Sequence, residues 1–85
     1  MTTETLLIRI FENVIGVRNL NGDERFVDIG GNSLNLVTVL KQIKEKTGVA
    51  PPARMFFDKT ASTIAALSSA IDTQRAQILS PAATD

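Results

Sequence analysis

The most informative stretch of the sequence is Phe26-Val27-Asp28-Ile29-Gly30-Gly31-Asn32-Ser33-Leu34. It places a serine hydroxyl at the predicted start of a helix, directly after two glycines and an asparagine. Glycine, asparagine and serine are all common where helices begin, so these residues alone could form an ordinary cap. The chain contains no histidine and no cysteine, and therefore offers Ser33 no activating partner of the usual kind. We interpret Ser33 as an acceptor that another enzyme modifies.

Composition limits the fold and excludes several classes of function. The 85 residues, 44% of them hydrophobic, suffice for one small domain held together by packing without disulfides. Without histidine or cysteine the chain has no cluster of the usual metal ligands. Nine basic and nine acidic residues give a net charge of zero, which argues against binding to nucleic acid or to a membrane surface. The sequence has no long apolar run and no signal-peptide pattern, so we expect a cytoplasmic location.

Helical periodicity and helix breakers predict four helices. The first begins after Thr2 or Thr3 and ends before Gly16, the second runs from about Ser33 to Thr47, a short one follows the Pro51-Pro52 pair at Ala53 to Phe57, and the last begins near Ser62 or Thr63 and ends between Asp72 and Leu79. We expect an all-α four-helix bundle, with three longer helices, one short helix and a long loop between helices 1 and 2. Residues 1–79 would form the domain, and residues 80–85 a flexible C-terminal tail.

Apolar residues in the connecting segments give two narrower expectations. The loop over residues 17–32 should be packed down, with Leu20, Phe26, Val27 and Ile29 as its anchors. Met55, Phe56 and Phe57 cannot all point inward from so short a helix. We expect either that Met55 or Phe56 is exposed near the second helix, or that all three side chains nevertheless close the core.

The 26–34 stretch resembles the attachment motif of carrier proteins, in particular the peptidyl carrier (thiolation) proteins of nonribosomal peptide synthesis. The resemblance extends over about residues 6–71, but its specificity lies mostly in residues 26–34. It implies the four-helix carrier bundle, and a serine that carries covalent 4'-phosphopantetheine. The arm would hold an aminoacyl or peptidyl group as a thioester, while the carrier itself catalyses nothing.

The resemblance also implies roles for individual residues. Ser33 would be the attachment residue, and Gly30 and Gly31 would allow the tight turn that exposes its hydroxyl. Asp28 matches the family's acidic loop position and would support the loop. Asn32 stands where the family varies among aspartate, histidine and asparagine, and asparagine after two glycines fits the peptidyl branch.

The implied partners are enzymes that act on the arm or its cargo. They are a phosphopantetheinyl transferase, an adenylation or other acyl-activating enzyme, and a downstream condensation, tailoring or thioesterase enzyme. The expected docking residues are Leu34, Val37, Thr38, Lys41 and Met55. Leu34 and Val37 fall off the core face of the second helix, so docking should depend more on apolar contact than on charge. We expect the carrier to be a monomer.

Three alternatives remain open at the level of the sequence. An acyl carrier of polyketide or fatty acid synthesis would share the serine and the arm, although the neutral charge and the Asn32-Ser33 pair favour the peptidyl branch. An unmodified helical interaction module would use Leu34 and Val37 as a contact patch. An enzyme is the weakest alternative, because Ser33 has no histidine partner and no lysine-based dyad is evident. Met1 and the trailing C-terminal tail favour a free-standing carrier, although a domain excised from a larger synthetase would look similar.

Overall fold

The computed structural model describes residues 2–79, which form three α-helices and two short 3-10 helices. In chain order these are α1 (Thr3–Ile15), η1 (Val27–Ile29), α2 (Ser33–Thr47), η2 (Ala53–Phe57) and α3 (Ile64–Leu79). The predicted all-α bundle is confirmed, with η2 as its short helix, whereas η1 is an additional turn that was not predicted from the sequence. The predicted tail, residues 80–85, lies outside the described residues. Within the part that is described, every helix is too short or too polar to cross a membrane.

Local capping sets the ends of α1 and α2. The hydroxyl of Thr2 accepts a hydrogen bond from the Thr5 N–H at 3.1 Å, and this cap begins α1. Gly16 and Gly48 end α1 and α2 in the left-handed conformation, with φ angles of 87° and 84°. The predicted bounds of both helices are therefore confirmed.

Three phenylalanines from different elements meet in the centre of the bundle. The ring of Phe26 lies 5.5 Å from that of Phe11 on α1 and 5.3 Å from that of Phe56 on η2, measured between centroids. All three side chains are fully buried. Phe26 thus anchors the long loop to two helices at once. The rest of the buried core comprises Leu7, Ile10, Leu36, Val39, Ile43, Val49, Ile64, Leu67 and Ile71.

Two of the apolar predictions are wrong, and both errors arise at a 3-10 turn. Val27, expected as an anchor, is 45% exposed, because η1 begins at Val27 and turns this side chain outward directly after the buried Phe26. In η2, Phe57 is the exposed residue at 44%, while Phe56 is buried and Met55 packs half-buried against the core. With three residues per turn, only one of three consecutive side chains can point straight into the core.

The long loop is fixed by backbone hydrogen bonds to the start of α3. The N–H of Phe26 donates to the Ser62 carbonyl at 3.2 Å, and the Ile64 N–H donates to the Glu24 carbonyl at 2.9 Å. The Ala65 N–H donates to the Gly22 carbonyl at 3.0 Å. Because the first N–H groups of a helix lack intrahelical partners, the loop satisfies donors that α3 would otherwise leave free.

The segment between η2 and α3 is ordered by Asp58. Its Oδ1 accepts hydrogen bonds from the N–H groups of Thr60 at 2.8 Å and Ala61 at 2.9 Å, and from the Thr60 hydroxyl at 3.1 Å. The Thr60 N–H, then the Ala61 N–H and the Thr60 hydroxyl lower the pKa of the Asp58 carboxyl. Thr63 then caps α3 by accepting from the Ala66 N–H at 3.1 Å, which places the start of the helix at Ile64.

Candidate functional site

Ser33 is the first residue of α2, and its side chain is exposed. Among the described residues, neither its hydroxyl nor its own N–H has a hydrogen-bond partner. The first turn of α2 contains no acidic residue. The hydroxyl therefore stands free in solvent at the positive end of the helix dipole.

A reciprocal cap on both sides of Ser33 holds it in place. Asn32 Oδ1 accepts hydrogen bonds from the N–H groups of Leu34 and Asn35, both at 2.9 Å. In return, Asn35 Oδ1 accepts from the Asn32 N–H at 2.9 Å, which completes a capping box. Asn35 Nδ2 also donates to the Gly30 carbonyl at 3.2 Å. The side chain of Asn35 thus ties the turn before the serine to the helix after it.

The two glycines that precede the cap are required for different reasons. Gly30 has a φ angle of 102°, in the left-handed region that favours glycine. At Gly31 the constraint is space, since a Cβ atom there would lie 2.5 Å from the Phe26 ring and 2.5 Å from the Phe26 carbonyl oxygen. The Gly31 N–H donates to that same oxygen at 2.9 Å. The buried Phe26 therefore sets the path of the backbone immediately before Ser33.

Asp28 lies on the loop side of the site and contacts another loop residue. Its Oδ2 is 3.2 Å from Nε of Arg25, in an ion pair whose side chains are both about half exposed. Arg25 also donates from a guanidinium nitrogen to the Lys59 carbonyl at 3.0 Å. These contacts join η1 to the segment before α3. Asp28 therefore supports the loop, and its contacts do not involve Ser33.

The expected docking residues do not all lie on one surface. Leu34 and Val37 are 85% and 69% exposed, and Lys41 is exposed one turn beyond Val37. At 100° per residue these three share one side of α2 with Ser33. Thr38 is also exposed but faces the groove between α1 and α2. Met55 packs against the core and offers less surface than Leu34 or Val37.

The groove between α1 and α2 begins beside the serine and has a volume of about 540 Å3. Asn32 and Leu34, which flank the serine, are among the residues that line it, and Val14 lines it from α1. Groups of histidine, cysteine, aspartate or glutamate that could hold a metal ion are absent from residues 2–79. What the site presents is one free hydroxyl on a rigid turn, next to an exposed apolar pair and an uncharged groove.

Comparison with known proteins identifies this arrangement. A family model described as "Phosphopantetheine attachment site" matches residues 5–71. The chain belongs to this family. Its carrier fold also matches a chain in the solved complex of the phosphopantetheine transferase Sfp with coenzyme A and a peptidyl carrier protein. That match has 31% identity and a TM-score of 0.76, and it covers 86% of this chain and 92% of the other. The resemblance to peptidyl carriers is thereby confirmed.

Sequence relatives of this carrier include large synthetases. Gramicidin S synthase 2 of Aneurinibacillus migulanus is 32% identical over 69 residues, which is 81% of this chain. Bacitracin synthase 1 of Bacillus licheniformis is 29% identical over 55 residues, which is 65% of this chain. The chain spans only 2% and 1% of the lengths of these two relatives. They therefore match it as one small part of a much longer protein.

The cofactor of this family is 4'-phosphopantetheine, and the site has the features that a phosphate ester requires. The Ser33 hydroxyl is exposed and unpaired in the described structure, so attachment breaks no internal hydrogen bond. The neighbouring helix N-terminus favours negative charge. The acid nearest before the serine, Asp28, is paired with Arg25.

One residue of the site, Asn35, was not predicted from the sequence. Its two side-chain hydrogen bonds, to the Asn32 N–H and the Gly30 carbonyl, hold the serine turn from the helix side. The sequence does contain a signal for Asn35. In a capping box, the residue three positions after the N-cap accepts a hydrogen bond from the N-cap backbone N–H through its side chain. The pattern is hard to recognise here because asparagine stands at the position where glutamate or glutamine is usual.

Proposed function

We propose that Ser33 carries the 4'-phosphopantetheine arm and that this chain serves as a peptidyl carrier in nonribosomal peptide synthesis. The observation that carries the proposal is the free, exposed hydroxyl of Ser33 on a turn fixed from both sides by Asn32 and Asn35. The identity to synthetases that make peptides supports the peptidyl branch over other carriers.

The chain's own part in attachment is to present the hydroxyl. The Ser33 oxygen forms a phosphate ester with the phosphopantetheine half of coenzyme A, its proton passes to the transferase, and the adenosine bisphosphate half leaves. Because the turn is already ordered, little conformational entropy is lost when the transferase engages it. The chain has no histidine, the first turn of α2 has no acidic residue, and Asp28 is paired with Arg25, so we assign the general base to the transferase.

When bound, the arm supplies the terminal thiol that holds an aminoacyl or peptidyl group as a thioester. The chain contains no cysteine, so none of its own side chains can compete for the acyl group as a thiol. The carrier's remaining task is to be recognised by the enzymes that load and unload it. In this proposal it performs no catalysis itself.

The partners of the carrier would be a phosphopantetheinyl transferase, an acyl-activating enzyme such as an adenylation domain, and a downstream condensation, tailoring or thioesterase enzyme. Leu34 and Val37 would provide the apolar contact with them, since large exposed apolar side chains gain most from burial at an interface. Lys41 and Thr38 would contribute polar contacts at its edge, and Met55 a smaller one. A carrier domain over residues 1–79, a monomeric state and a cytoplasmic location stay predictions of the sequence.

The experiment is intact-protein mass spectrometry after incubation with coenzyme A and a permissive phosphopantetheinyl transferase. We expect the wild-type chain to gain the mass of one phosphopantetheine group, and Ser33→Ala to gain none. Ser69→Ala is the matched control, because Ser69 is an exposed serine on α3, and this variant should still be modified. A wild-type chain of unchanged mass would favour an unmodified interaction module instead.

A further inference from the structure

We infer that the groove between α1 and α2 is a resting site for the pantetheine part of the arm attached to Ser33. This inference rests on the proposed attachment at Ser33. The lining of the groove includes Asn32 and Leu34, the two residues on either side of the serine. Ser33 itself does not line the groove, but a flexible arm attached to its hydroxyl needs to pass only these neighbouring residues to reach it.

The lining of the groove is neutral and rich in hydrogen-bonding groups. Asn13 of α1 and Thr38 and Gln42 of α2 line it, and Thr38 and Gln42 lie one turn apart on the same side of α2. Among the described residues these three side chains make no hydrogen bond, whereas Asn35, also at the groove, is used by the cap. Three neighbouring side chains thus retain free donors and acceptors.

The chemistry of pantetheine matches this lining. It contains two amides, a hydroxyl and a geminal dimethyl group, and it carries no charge between the phosphate and the thiol. Carboxamide side chains such as Asn13 and Gln42 can donate to and accept from an amide at once. The half-buried Val14 adds an apolar contact for the dimethyl group. No charged residue lines the groove, which suits the neutral arm better than the phosphate.

Because the arm would be attached to Ser33, weak contacts with the groove suffice to hold it there. A tethered group binds in an intramolecular step and does not pay the full entropy of association. With a rise of about 1.5 Å per residue, Thr38 and Gln42 lie roughly 7 Å and 14 Å along α2 from Ser33. The groove thus extends along α2 away from the serine, and neither Val37 nor Lys41 lines it. An arm resting there leaves Val37 and Lys41 uncovered, whereas it lies against Leu34 and Thr38, which also line the groove.

The test is a comparison of NMR spectra of the unmodified and modified full chain, with modification verified by intact mass. We expect attachment to shift the signals of the Thr38 backbone amide, the Val14 methyls, and the side-chain amides of Asn13 and Gln42. In an Asn13→Ala/Gln42→Ala double variant, the shifts at Thr38 and Val14 should be lost. Gln77→Ala, which removes an exposed carboxamide on α3, should retain them.

Two results would overturn the inference, and they are distinguishable. If the mass shows the attached group but the shifts stop at Asn32 and Leu34, the resting site is wrong while the proposed function stands. If no group is attached at all, the proposed function fails, and the resting site fails with it. The spectrum of the unmodified double variant verifies that it has folded.

Discussion

Asn32 and Asn35 exchange hydrogen bonds across the first turn of α2, each side-chain oxygen accepting from the other residue's backbone N–H at 2.9 Å. Ser33 lies between them and has no part in the exchange. The two asparagines therefore provide acceptors for the backbone N–H groups at the start of α2, and the serine hydroxyl stays free. Serine is itself a preferred N-cap residue, but here Asn32 occupies the N-cap and Ser33 is the first residue of the helix.

Removal of one side of this exchange should cost stability. Asn35→Ala loses the acceptor for the Asn32 N–H and the donor to the Gly30 carbonyl, and we expect the free energy of unfolding to fall by about 1 kcal/mol. Urea denaturation followed by circular dichroism measures it. Asn35→Asp keeps the oxygen acceptor and should lose less. An Asn35→Ala chain as stable as the wild type would show that the capping box contributes little.

The two glycine requirements predict separable effects. Gly31→Ala places a Cβ atom 2.5 Å from the Phe26 ring and carbonyl, so the serine turn must move; we expect a loss of roughly 1–3 kcal/mol in stability, and slower modification. Gly48→Ala meets no atom within 4 Å and suffers only from its φ angle of 84°. It should lower the melting temperature yet leave the modification rate of the folded chain unchanged.

These glycine variants are compared at a temperature where both are folded. Equal modification rates for Gly31→Ala and the wild type would contradict the role of Phe26 in setting the backbone path. A slower rate for Gly48→Ala would mean that general destabilisation, and not the turn, controls the reaction.

Asp58 should make stability depend on pH in the acid range. Its pKa is lowered in the folded chain, so as pH falls the unfolded chain binds the proton first, near its ordinary value of about 3.9. The ionised Asp58 carboxylate therefore contributes its full stabilisation above the unfolded pKa. This contribution is lost as the pH falls through the lower pKa that Asp58 has in the folded chain. The stability difference between the wild type and Asp58→Asn, measured by urea unfolding, should be larger at about pH 7 than at about pH 2. A difference independent of pH would contradict the assignment.

The exposed side chains of Leu34 and Val37 should contribute to partner binding and not to the stability of the fold. Because Leu34 and Val37 are 85% and 69% exposed, Leu34→Ala and Val37→Ala should change the free energy of unfolding by no more than about 0.5 kcal/mol. We expect kcat/KM for modification or for aminoacyl loading to fall several-fold, by about 1 kcal/mol or more in transition-state binding. Thr73→Ala, an exposed α3 position, is the matched control. Unchanged kcat/KM in both variants would remove the pair from the docking surface.

The helices, and the exposed position of Ser33 at the start of α2, could be predicted from the sequence because their signals are local. Gly16 and Gly48 mark helix ends, and the apolar spacing of α1 and α2 identifies their inner faces, as the burial of Phe11 and Val39 bears out. Each of these signals lies within a few residues of the feature it predicts. The exposure of Leu34 and Val37 followed from the same periodicity.

What could not be predicted depends on contacts between distant parts of the chain. The outward turn of Val27 follows from the burial of Phe26 between Phe11 and Phe56, residues far apart in sequence. The pairing of the loop with the start of α3, through Glu24 and Ile64, has no periodic signature. The groove beside Ser33 exists only because α1 and α2 pack side by side. No pattern within one segment specifies such neighbours.

The measurement that tests the central claim most directly is fragment-ion mapping of the chain after reaction with coenzyme A and a phosphopantetheinyl transferase. It separates Ser33 from the serines at positions 62, 68, 69 and 80, which intact mass alone cannot do. We predict one phosphopantetheine group per chain, located on Ser33. A group on any other residue, or an unmodified chain under conditions that modify a known carrier, would contradict the account.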